Sequence, residues 1–339
     1  MSDWKNLLLH GDCLDVIRDL QDILKGKVRL IYIDPPFLSG TDYTLKTRSI
    51  STRRSAGELQ EEQTYSDKWE GGLDEYLAFM KTRLRAMKPL LRTDGSLWVH
   101  LDWHVSHYVK VMLDEIFGYS NFVNEIVWKR TNSPKPQSRG FGSQHDVILL
   151  YALDESKFKT NQMYRGHDDK SRKPYSYRDE RGCFRLIEIE AQGIQRTEKR
   201  KQFEWRGRTA PYLYRRETLD KWWDSGLIYT SKNGRFTKKQ YLSDVPGIPV
   251  SDIWTDIPPV QGTSAEHTGF LTQKPEALIQ RIIESSTEPD DIVADFFVGS
   301  GTTAIVAERL NRRWVASDLS EAAIKVTRER LGQIQSSQK

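Results

Sequence analysis

The sequence contains little cysteine and no long apolar run. Its 339 residues include two cysteines, Cys13 and Cys183, which form no Cys-x-x-Cys pair and no His/Cys cluster. A disulfide scaffold and a structural zinc site are therefore not predicted, and a reducing cytoplasm is expected. No run of 18 apolar residues occurs, so no membrane-spanning helix is expected. The N-terminus also lacks the basic and apolar segments of a secretory signal.

Charge is distributed unevenly along the chain. The formal net charge is only +4, but residues 157–239 hold 22 Lys and Arg against 11 Asp and Glu. Tyr, Trp and Phe residues are interleaved with this positive charge. Cations neutralise phosphates and aromatic rings stack on bases, so the segment is typical of a nucleic-acid-binding surface. Charge alone fits a solvated basic surface over an aromatic core equally well.

The segments on either side of the basic region alternate between strand and helix patterns. Buried strands are predicted at 28–33, 96–101, 122–128, 146–151, 291–297 and 313–317. Helices are predicted at 76–91, 276–286, 302–310 and 321–331. This alternation favours one parallel α/β sheet with the basic region inserted into it. The polar and basic stretch 44–65 is predicted to be a mobile loop.

A glycine-rich turn, Asp295 to Thr303, lies between a predicted strand and a predicted helix. Gly299 and Gly301 allow close approach of a ligand, and the N-terminus of the helix favours a negative group. Asp318 ends the next strand, where α/β folds hydrogen-bond the ribose of adenosine-containing ligands. These residues alone are also compatible with a nicotinamide-dependent dehydrogenase.

A second motif, Asp34-Pro35-Pro36-Phe37, directly follows the predicted strand 28–33. Prolines donate no backbone N–H and stiffen the turn, so nearby carbonyls are left as acceptors. The carboxylate and a carbonyl can bind an exocyclic amino group while the ring stacks on the heterocycle that carries it. Considered alone, the motif fits a strand-terminating turn at least as well.

Together, the two motifs resemble the β-class of DNA amino-methyltransferases, which use S-adenosylmethionine. In that family a DPPY/F-type motif precedes an FxGxG motif, with the target-recognition region between them, and this chain has the same order. Residues 8–13, 94–99, 272–275 and 317–318 match further family segments. The resemblance implies a permuted, Rossmann-like, seven-stranded sheet. Its catalytic parts would be residues 1–151 and 265–339, and the target-recognition insertion would be residues 152–264.

The resemblance also implies roles for individual residues. The target amine would be held by the catalytic residues Asp34, Pro35, Pro36 and Phe37. The cofactor would be bound by Asp12, Cys13, Asp34, Thr272, Lys274, Asp295, Phe297, Gly299, Ser300, Gly301, Thr302 and Asp318. No metal is expected, because a sulfonium is already a good leaving group and needs no Lewis acid.

The expected reaction is methylation of adenine N6 after the base has left the duplex stack. Asp34 favours adenine, since the related cytosine-N4 enzymes more often have Ser at the first position of the motif. Arginine favours guanine edges and phosphates, and basic residues are therefore the candidates for DNA contacts. They are Lys46, Arg48, Arg53, Arg54, Arg178, Arg181, Arg196, Arg206, Arg208, Arg215 and Arg216.

Two other functions remain open within this resemblance. One is methylation of cytosine N4, and the other is a non-catalytic DNA-binding module on the same scaffold. The expected partner is double-stranded DNA, with a homodimer and a cognate restriction endonuclease as further candidates and no membrane. A prokaryotic cytoplasm, in association with the nucleoid, is the expected location.

Overall fold

The computed structural model describes residues 4–48, 59–131, 140–191, 202–270 and 272–337. The chain forms two compact units. The first comprises Met1–Gln162 with Ser251–Lys339, and the second comprises Met163–Val250. Across the described ranges, we find no helix whose length and hydropathy would let it cross a membrane.

The secondary structure is numbered along the chain. The strands are β1 (Leu7–His10), β2 (Val28–Ile33), β3 (Asp42–Arg48), β4 (Leu59–Ser66), β5 (Leu91–Leu101), β6 (Phe122–Lys129), β7 (His145–Ala152), β8 (Tyr164–Arg165), β9 (Tyr177–Asp179), β10 (Gly182–Glu188), β11 (Phe203–Trp205), β12 (Arg208–Ala210), β13 (Ile228–Thr230), β14 (Phe236–Tyr241), β15 (Ile248–Pro249), β16 (Ile253–Trp254), β17 (Ile292–Asp295) and β18 (Arg313–Asp318). The α-helices are α1 (Cys13–Leu24), α2 (Gly72–Met87), α3 (Ser106–Phe117), α4 (Asp169–Arg172), α5 (Arg216–Asp224), α6 (Glu276–Ser286), α7 (Thr302–Arg309) and α8 (Glu321–Ser337). Short 3-10 helices occupy Lys88–Leu90, Tyr119–Asn121 and Leu242–Asp244.

The first unit is built on a sheet with the strand order β1-β18-β17-β2-β5-β7-β6-β16. Strand β7 runs antiparallel to both of its neighbours, whereas the other neighbouring pairs are parallel. The prediction of a parallel sheet is therefore wrong for β7, because the hydrophobic pattern of a strand does not indicate its direction relative to its neighbours. The two-residue strand β16 adds an eighth strand to the seven that were expected.

The hydrophobic core joins the sheet to the first three helices. Helix α2 contacts both α1 and α3, and helix α7 contacts both α6 and α8. Ile31 and Ile33 of β2 belong to a buried cluster with apolar residues of α1, α2 and α3. Leu30 and Tyr32 point to the opposite face, since side chains alternate along a strand, and they are buried as well. Burial on both faces places the end of β2 well inside the unit.

Helix α1 begins beside the sheet edge that forms the site. The Asp12 side chain accepts a hydrogen bond from the Leu14 N–H at 2.8 Å and caps the helix. Apolar residues then recur at helical spacing and bury one face of the helix: Cys13, Val16, Ile17, Leu20 and Leu24. The cap and this face fix where the first turn of α1 lies.

The stretch 44–65 differs from its prediction. Strands β3 and β4 form an antiparallel hairpin that pairs Asp42 with Ser66 and Arg48 with Leu59. The loop prediction is wrong for these strands, because it relied on polar and basic composition, which does not prevent pairing of the backbone. Two of the DNA-contact candidates, Lys46 and Arg48, lie on β3, whereas Arg53 and Arg54 lie outside the described residues.

The second unit contains a four-stranded antiparallel sheet with the order β13-β14-β10-β9. Its hydrophobic cluster is rich in aromatic residues: Ile189, Trp205, Ala210, Tyr212, Leu219 and Phe236. Several aromatics that the sequence interleaves with positive charge therefore form a core. Tyr177, Tyr214, Trp223 and Tyr229 are exposed.

The second unit is shorter than the segment 152–264. Residues up to 162 belong to the first unit, where Asn161 donates its side-chain amide to the Glu284 carbonyl at 2.8 Å. Residues from 251 also belong there, because β16 pairs with β6. Composition alone does not reveal these tertiary contacts, which place the first boundary 11 residues later and the second 14 residues earlier than expected.

Candidate active site

A cavity of about 310 Å³ lies in the first unit at the carboxyl ends of four neighbouring strands, β1, β18, β17 and β2. Parallel strands bring their carboxyl ends to one edge of the sheet, so sequence-distant motifs meet there. The predicted residues that line the cavity are Asp12, Cys13, Asp34, Pro35, Pro36, Phe37, Thr272, Lys274, Asp295, Phe297, Gly299, Ser300, Thr302 and Asp318. The glycine-rich turn and the proline turn thus face one space.

Asp34 directly follows β2 and forms an ion pair with Lys274. The Lys274 Nζ lies 2.5 Å from Asp34 Oδ2, and both side chains are largely buried. The other oxygen, Asp34 Oδ1, is buried and has no hydrogen-bond partner among the described residues. Lys274 Nζ also lies 5.3 Å from the centre of the Phe37 ring. One carboxylate oxygen is therefore neutralised, while the other retains unused acceptor capacity.

Asp295 ends β17 and is 2% exposed. Its carboxylate accepts a hydrogen bond from the Phe297 N–H at 2.9 Å and one from the Thr303 hydroxyl at 2.5 Å. Burial raises the pKa of Asp295 to about 7, although both hydrogen bonds favour the charged form. The protonation state of this carboxyl is consequently balanced near neutral pH.

Asp318 ends β18 and fixes the glycine-rich turn. Its carboxylate accepts hydrogen bonds from the Gly299 N–H at 2.8 Å and the Ser320 N–H at 2.9 Å. Burial also raises the pKa of Asp318. A carboxylate has about four lone-pair positions, so acceptor capacity remains for a ligand.

Among the predicted catalytic and cofactor-binding residues, all of which the structure describes, Gly301 alone does not line the cavity. Its φ of +87° is in the left-handed region, and a Cβ there would lie 2.6 Å from Thr327 Oγ1. Glycine is therefore required at this position by backbone conformation and by packing against α8. A sequence motif does not distinguish this requirement from ligand contact.

Asp12 and Cys13 line the opposite part of the cavity. Asp12 Oδ2 lies 2.5 Å from Arg83 Nη2, so an arginine of α2 neutralises this carboxylate. The Cys13 thiol is buried, and burial raises its pKa to about 12. A protonated, apolar thiol suits contact with a ring rather than with a charged group.

The sequence analysis assigned no individual role to several residues that line the cavity. They are Tyr32, Trp69, Phe79, Arg83, Phe270, Ile279, Phe296, Val298, Thr303, Leu319 and Ser320. Trp69 packs edge-on against Phe79 with ring centres 4.9 Å apart, and the Arg83 guanidinium lies 3.5 Å from the Phe79 ring centre. No local motif marks Trp69, Phe79 and Arg83, because the helix and loop that carry them reach the site only through tertiary packing.

The arginines of the second unit that are predicted to contact DNA differ in their interactions. Arg181 and Arg208 form ion pairs with Asp244 and Glu190. Arg206 lies 4.0 Å from Asp220, and Arg216 donates to the Glu204 carbonyl. For Arg178 and Arg215, both exposed, we find no side-chain hydrogen bond or ion pair within the described ranges. Arg196 lies outside them.

Metal-ligating residue types do not cluster in the described ranges. No group of three or more His, Cys, Asp or Glu side chains there could hold a metal ion. The expectation that the reaction needs no metal stays a prediction.

Comparisons with known proteins identify similar sequences. A family model described as DNA methylase matches residues 28–329. The type II methyltransferase M.EcaI of Enterobacter cloacae is 30% identical over 308 residues, which cover 90% of this chain and 64% of that protein. The type III restriction-modification enzyme StyLTI Mod subunit of Salmonella typhimurium is 28% identical over 326 residues, with coverages of 90% and 50%. The chain thus spans about half to two thirds of the length of these curated relatives.

A solved structure shows the same fold at low identity. The PvuII DNA methyltransferase, described as cytosine-N4-specific, is 15% identical and superposes with a TM-score of 0.52. The match covers 96% of this chain and 86% of that one. This likeness confirms the predicted fold class, an α/β methyltransferase sheet.

Proposed function

Because the chain belongs to the DNA methylase family, we propose that it transfers a methyl group from S-adenosyl-L-methionine to adenine N6 in double-stranded DNA. The observation that carries the proposal is the environment of Asp34. One of its oxygens is bound by Lys274, and the other is buried at the cavity without a partner among the described residues. An unsatisfied buried acceptor is costly, and a ligand amine supplies the missing donor.

The charges around the cavity suit a cationic cofactor. Four aspartates line it, and two of them, Asp12 and Asp34, pair with Arg83 and Lys274. The other two, Asp295 and Asp318, form no ion pair with Lys or Arg in the described part of the chain. Bound S-adenosyl-L-methionine supplies an electrophilic methyl group on a sulfonium cation.

Three parts of the cavity would hold that cofactor. Asp318 has acceptor capacity for ribose hydroxyls at the carboxyl end of β18. Asp12 and Cys13 lie where the resemblance to the β-class places the adenine, and Thr272 and Lys274 lie where it places the methionine end. Lys274 carries the positive charge that a carboxylate needs.

The proline turn would bind the target base. Asp34 and the Pro35 carbonyl accept hydrogen bonds from the exocyclic amine, which withdraws its lone pair from the ring and directs it towards the methyl group. Phe37 offers its ring for stacking. Orientation of this kind can lower the barrier to methyl transfer by roughly 7–11 kcal/mol, so the amine need not be fully deprotonated beforehand. The C–S bond would break as the N–C bond forms, and the excess proton on the nitrogen would leave after the transfer.

The second unit would bind the DNA around the target. A base stacked inside a duplex cannot reach the cavity, so it must leave the stack at a cost of a few kcal/mol. Among the predicted DNA contacts whose side chains the structure describes, those of Arg178 and Arg215 are exposed and make no hydrogen bond or ion pair with other described residues, so they are available for phosphates or base edges.

The choice of adenine rests on Asp34 at the first position of the motif. Methylation of cytosine N4 is the alternative, and the PvuII enzyme of similar fold is described as cytosine-N4-specific. Mass spectrometry of nucleosides from methylated DNA separates the two products. We expect N6-methyladenine, and N4-methylcytosine as the sole product would contradict the assignment.

Partners beyond DNA remain proposals. The similarity to a type III Mod subunit supports a partner endonuclease in a restriction-modification system. A homodimer and association with the nucleoid in the cytoplasm stay predictions, which size measurement of the purified protein and localisation of a tagged chain would test.

Substitution of Asp34 tests the catalytic assignment. We expect Asp34→Ala to abolish methyl transfer while DNA binding persists, whereas Asp19→Ala, an exposed change on α1, should leave both unchanged. Incorporation of labelled methyl groups and a gel-shift assay measure the two properties. Unchanged incorporation in Asp34→Ala would refute the role of Asp34. DNA binding by the wild-type chain without incorporation into any duplex would instead favour the non-catalytic module.

A further inference from the structure

A buried carboxylate, Asp67, binds the backbone just after the proline turn. Asp67 is 1% exposed and lies between β4 and α2. It accepts hydrogen bonds from three consecutive backbone N–H groups, those of Phe37, Leu38 and Ser39, at 3.2, 2.9 and 2.7 Å. The Ser39 hydroxyl and the Trp69 indole N–H also donate to it, at 2.7 and 3.1 Å.

The backbone of residues 37–39 has a conformation that favours binding of an anion. Leu38 has a φ of +60°, in the left-handed region that residues other than glycine rarely adopt. Successive N–H groups in such a conformation converge and create a concave site for negative charge. Here the protein fills that site with its own side chain. The carboxylate therefore stabilises a turn that would otherwise carry three unpaired donors and a strained residue.

Asp67 also connects two walls of the cavity. Phe37 and Trp69 both line the cavity, whereas Asp67 does not. Since one carboxylate binds the Phe37 backbone N–H and the Trp69 indole, it fixes the backbone that carries the Phe37 ring relative to the Trp69 side chain. The Asp67 backbone adds to this, because its carbonyl accepts from the Gly40 N–H at 3.1 Å.

We propose that Asp67 is a positioning residue for methyl transfer: it holds the turn 37–39 so that the Phe37 ring and the adjoining Asp34-Pro35 acceptors face the target base. This inference rests on the proposed function and deepens it. Asp67 acts through the turn and touches neither substrate nor cofactor. Displacement of reacting groups by about 1 Å can reduce a rate about 10²-fold, so a small relaxation of the turn has a large effect.

Hydrogen–deuterium exchange tests whether Asp67 stabilises the turn 37–39, and this test does not depend on enzymatic activity. In the wild-type chain, the amides of residues 37–39 should be protected. Asp67→Ala should abolish that protection locally, and Asp67→Asn, which keeps one acceptor oxygen, should reduce it less. Asp15→Asn, on the exposed side of α1, is the control and should change nothing. Thermal melting identifies any variant that fails to fold, in which case Asp67→Asn carries the comparison.

Steady-state kinetics test the consequence for the reaction. We expect kcat to fall about 10²-fold in Asp67→Ala and to take an intermediate value in Asp67→Asn, with protection and kcat falling in the same order. If amide exchange at residues 37–39 were the same in Asp67→Ala as in the wild-type chain, Asp67 would not stabilise the turn. If protection were lost but kcat were unchanged, Asp67 would not be a positioning residue. If wild-type protein methylated no DNA, the proposed function would fail, while the exchange data would still decide whether Asp67 holds the turn.

Discussion

Replacement of Asp295 by asparagine should remove a pH dependence of stability. Asp295 lies at the end of β17 and is 2% exposed, and burial raises its pKa to about 7 in the folded protein. In the unfolded chain an aspartate has a pKa of about 3.9. The folded state therefore binds this proton more tightly. The stability that protonated Asp295 contributes to the folded protein is fully present below about pH 4 and is lost as the pH rises through 7.

The size of the effect follows from the two pKa values. The folded-state pKa lies about 3 pH units above the unfolded-state value, which corresponds to a loss of about 4 kcal/mol in the free energy of unfolding. The full loss is reached only at pH values above the folded-state pKa. Between pH 5 and pH 8 the wild-type chain should lose about 2.5 kcal/mol of unfolding free energy through this carboxyl alone. The asparagine side chain of the variant cannot ionise, so the variant lacks this loss. Its amide oxygen can still accept from the Phe297 N–H, which keeps the local structure comparable.

Urea unfolding of both proteins at pH 5 and pH 8 measures the difference. Titrations shared by the two chains cancel when the wild-type change is compared with that of the Asp295→Asn variant. The stability of the variant relative to wild type should rise by about 2.5 kcal/mol from pH 5 to pH 8. A difference that is independent of pH would show that Asp295 has an ordinary pKa and would refute the reasoning from burial.

Two further predictions concern packing around the site. Gly299 and Gly301 both have positive φ, but only at Gly301 would a Cβ approach another side chain closely, at 2.6 Å from Thr327 Oγ1. Urea unfolding should therefore show Gly301→Ala to be less stable than Gly299→Ala, with a strain cost of about 1–3 kcal/mol for the former. Tyr32→Phe should cost about 1–3 kcal/mol because the buried His100 Nδ1, 3.0 Å from the Tyr32 hydroxyl, loses its partner; unchanged stability would argue against this hydrogen bond.

The parts of the fold with strong local signals could be predicted. Strand β2 has the predicted bounds because an apolar run ends abruptly at Asp34-Pro35. Helix α6 also has its predicted bounds, since Pro275 precedes its first residue and apolar residues recur at helical spacing. In both cases the deciding interactions lie within a few residues along the chain.

The parts that depend on distant contacts could not be predicted. The antiparallel direction of β7 and the β3–β4 hairpin arise from pairing, which local composition does not specify. The same holds within the site. Arg83 forms a hydrogen bond with Asp12, which is 71 positions away in the sequence, and Asp67 forms one with Ser39, which is 28 positions away. Neither residue belongs to a recognisable motif, and each acts on a motif residue through a tertiary hydrogen bond.

The pairing of β2 with β17 brings the proline turn and the glycine-rich turn together in one site. The strands are parallel neighbours, and Ala294 pairs with Ile31. Asp295 and Asp34 follow within a few residues, so the separation of the two carboxylates is set by this register. A shift of one residue would move one motif by about 3.3 Å and reverse which side chains face the cavity. The 261 positions that separate Asp295 from Asp34 in the sequence are therefore of little consequence, because the geometry of these two carboxylates depends on the sheet and not on the order of motifs along the chain.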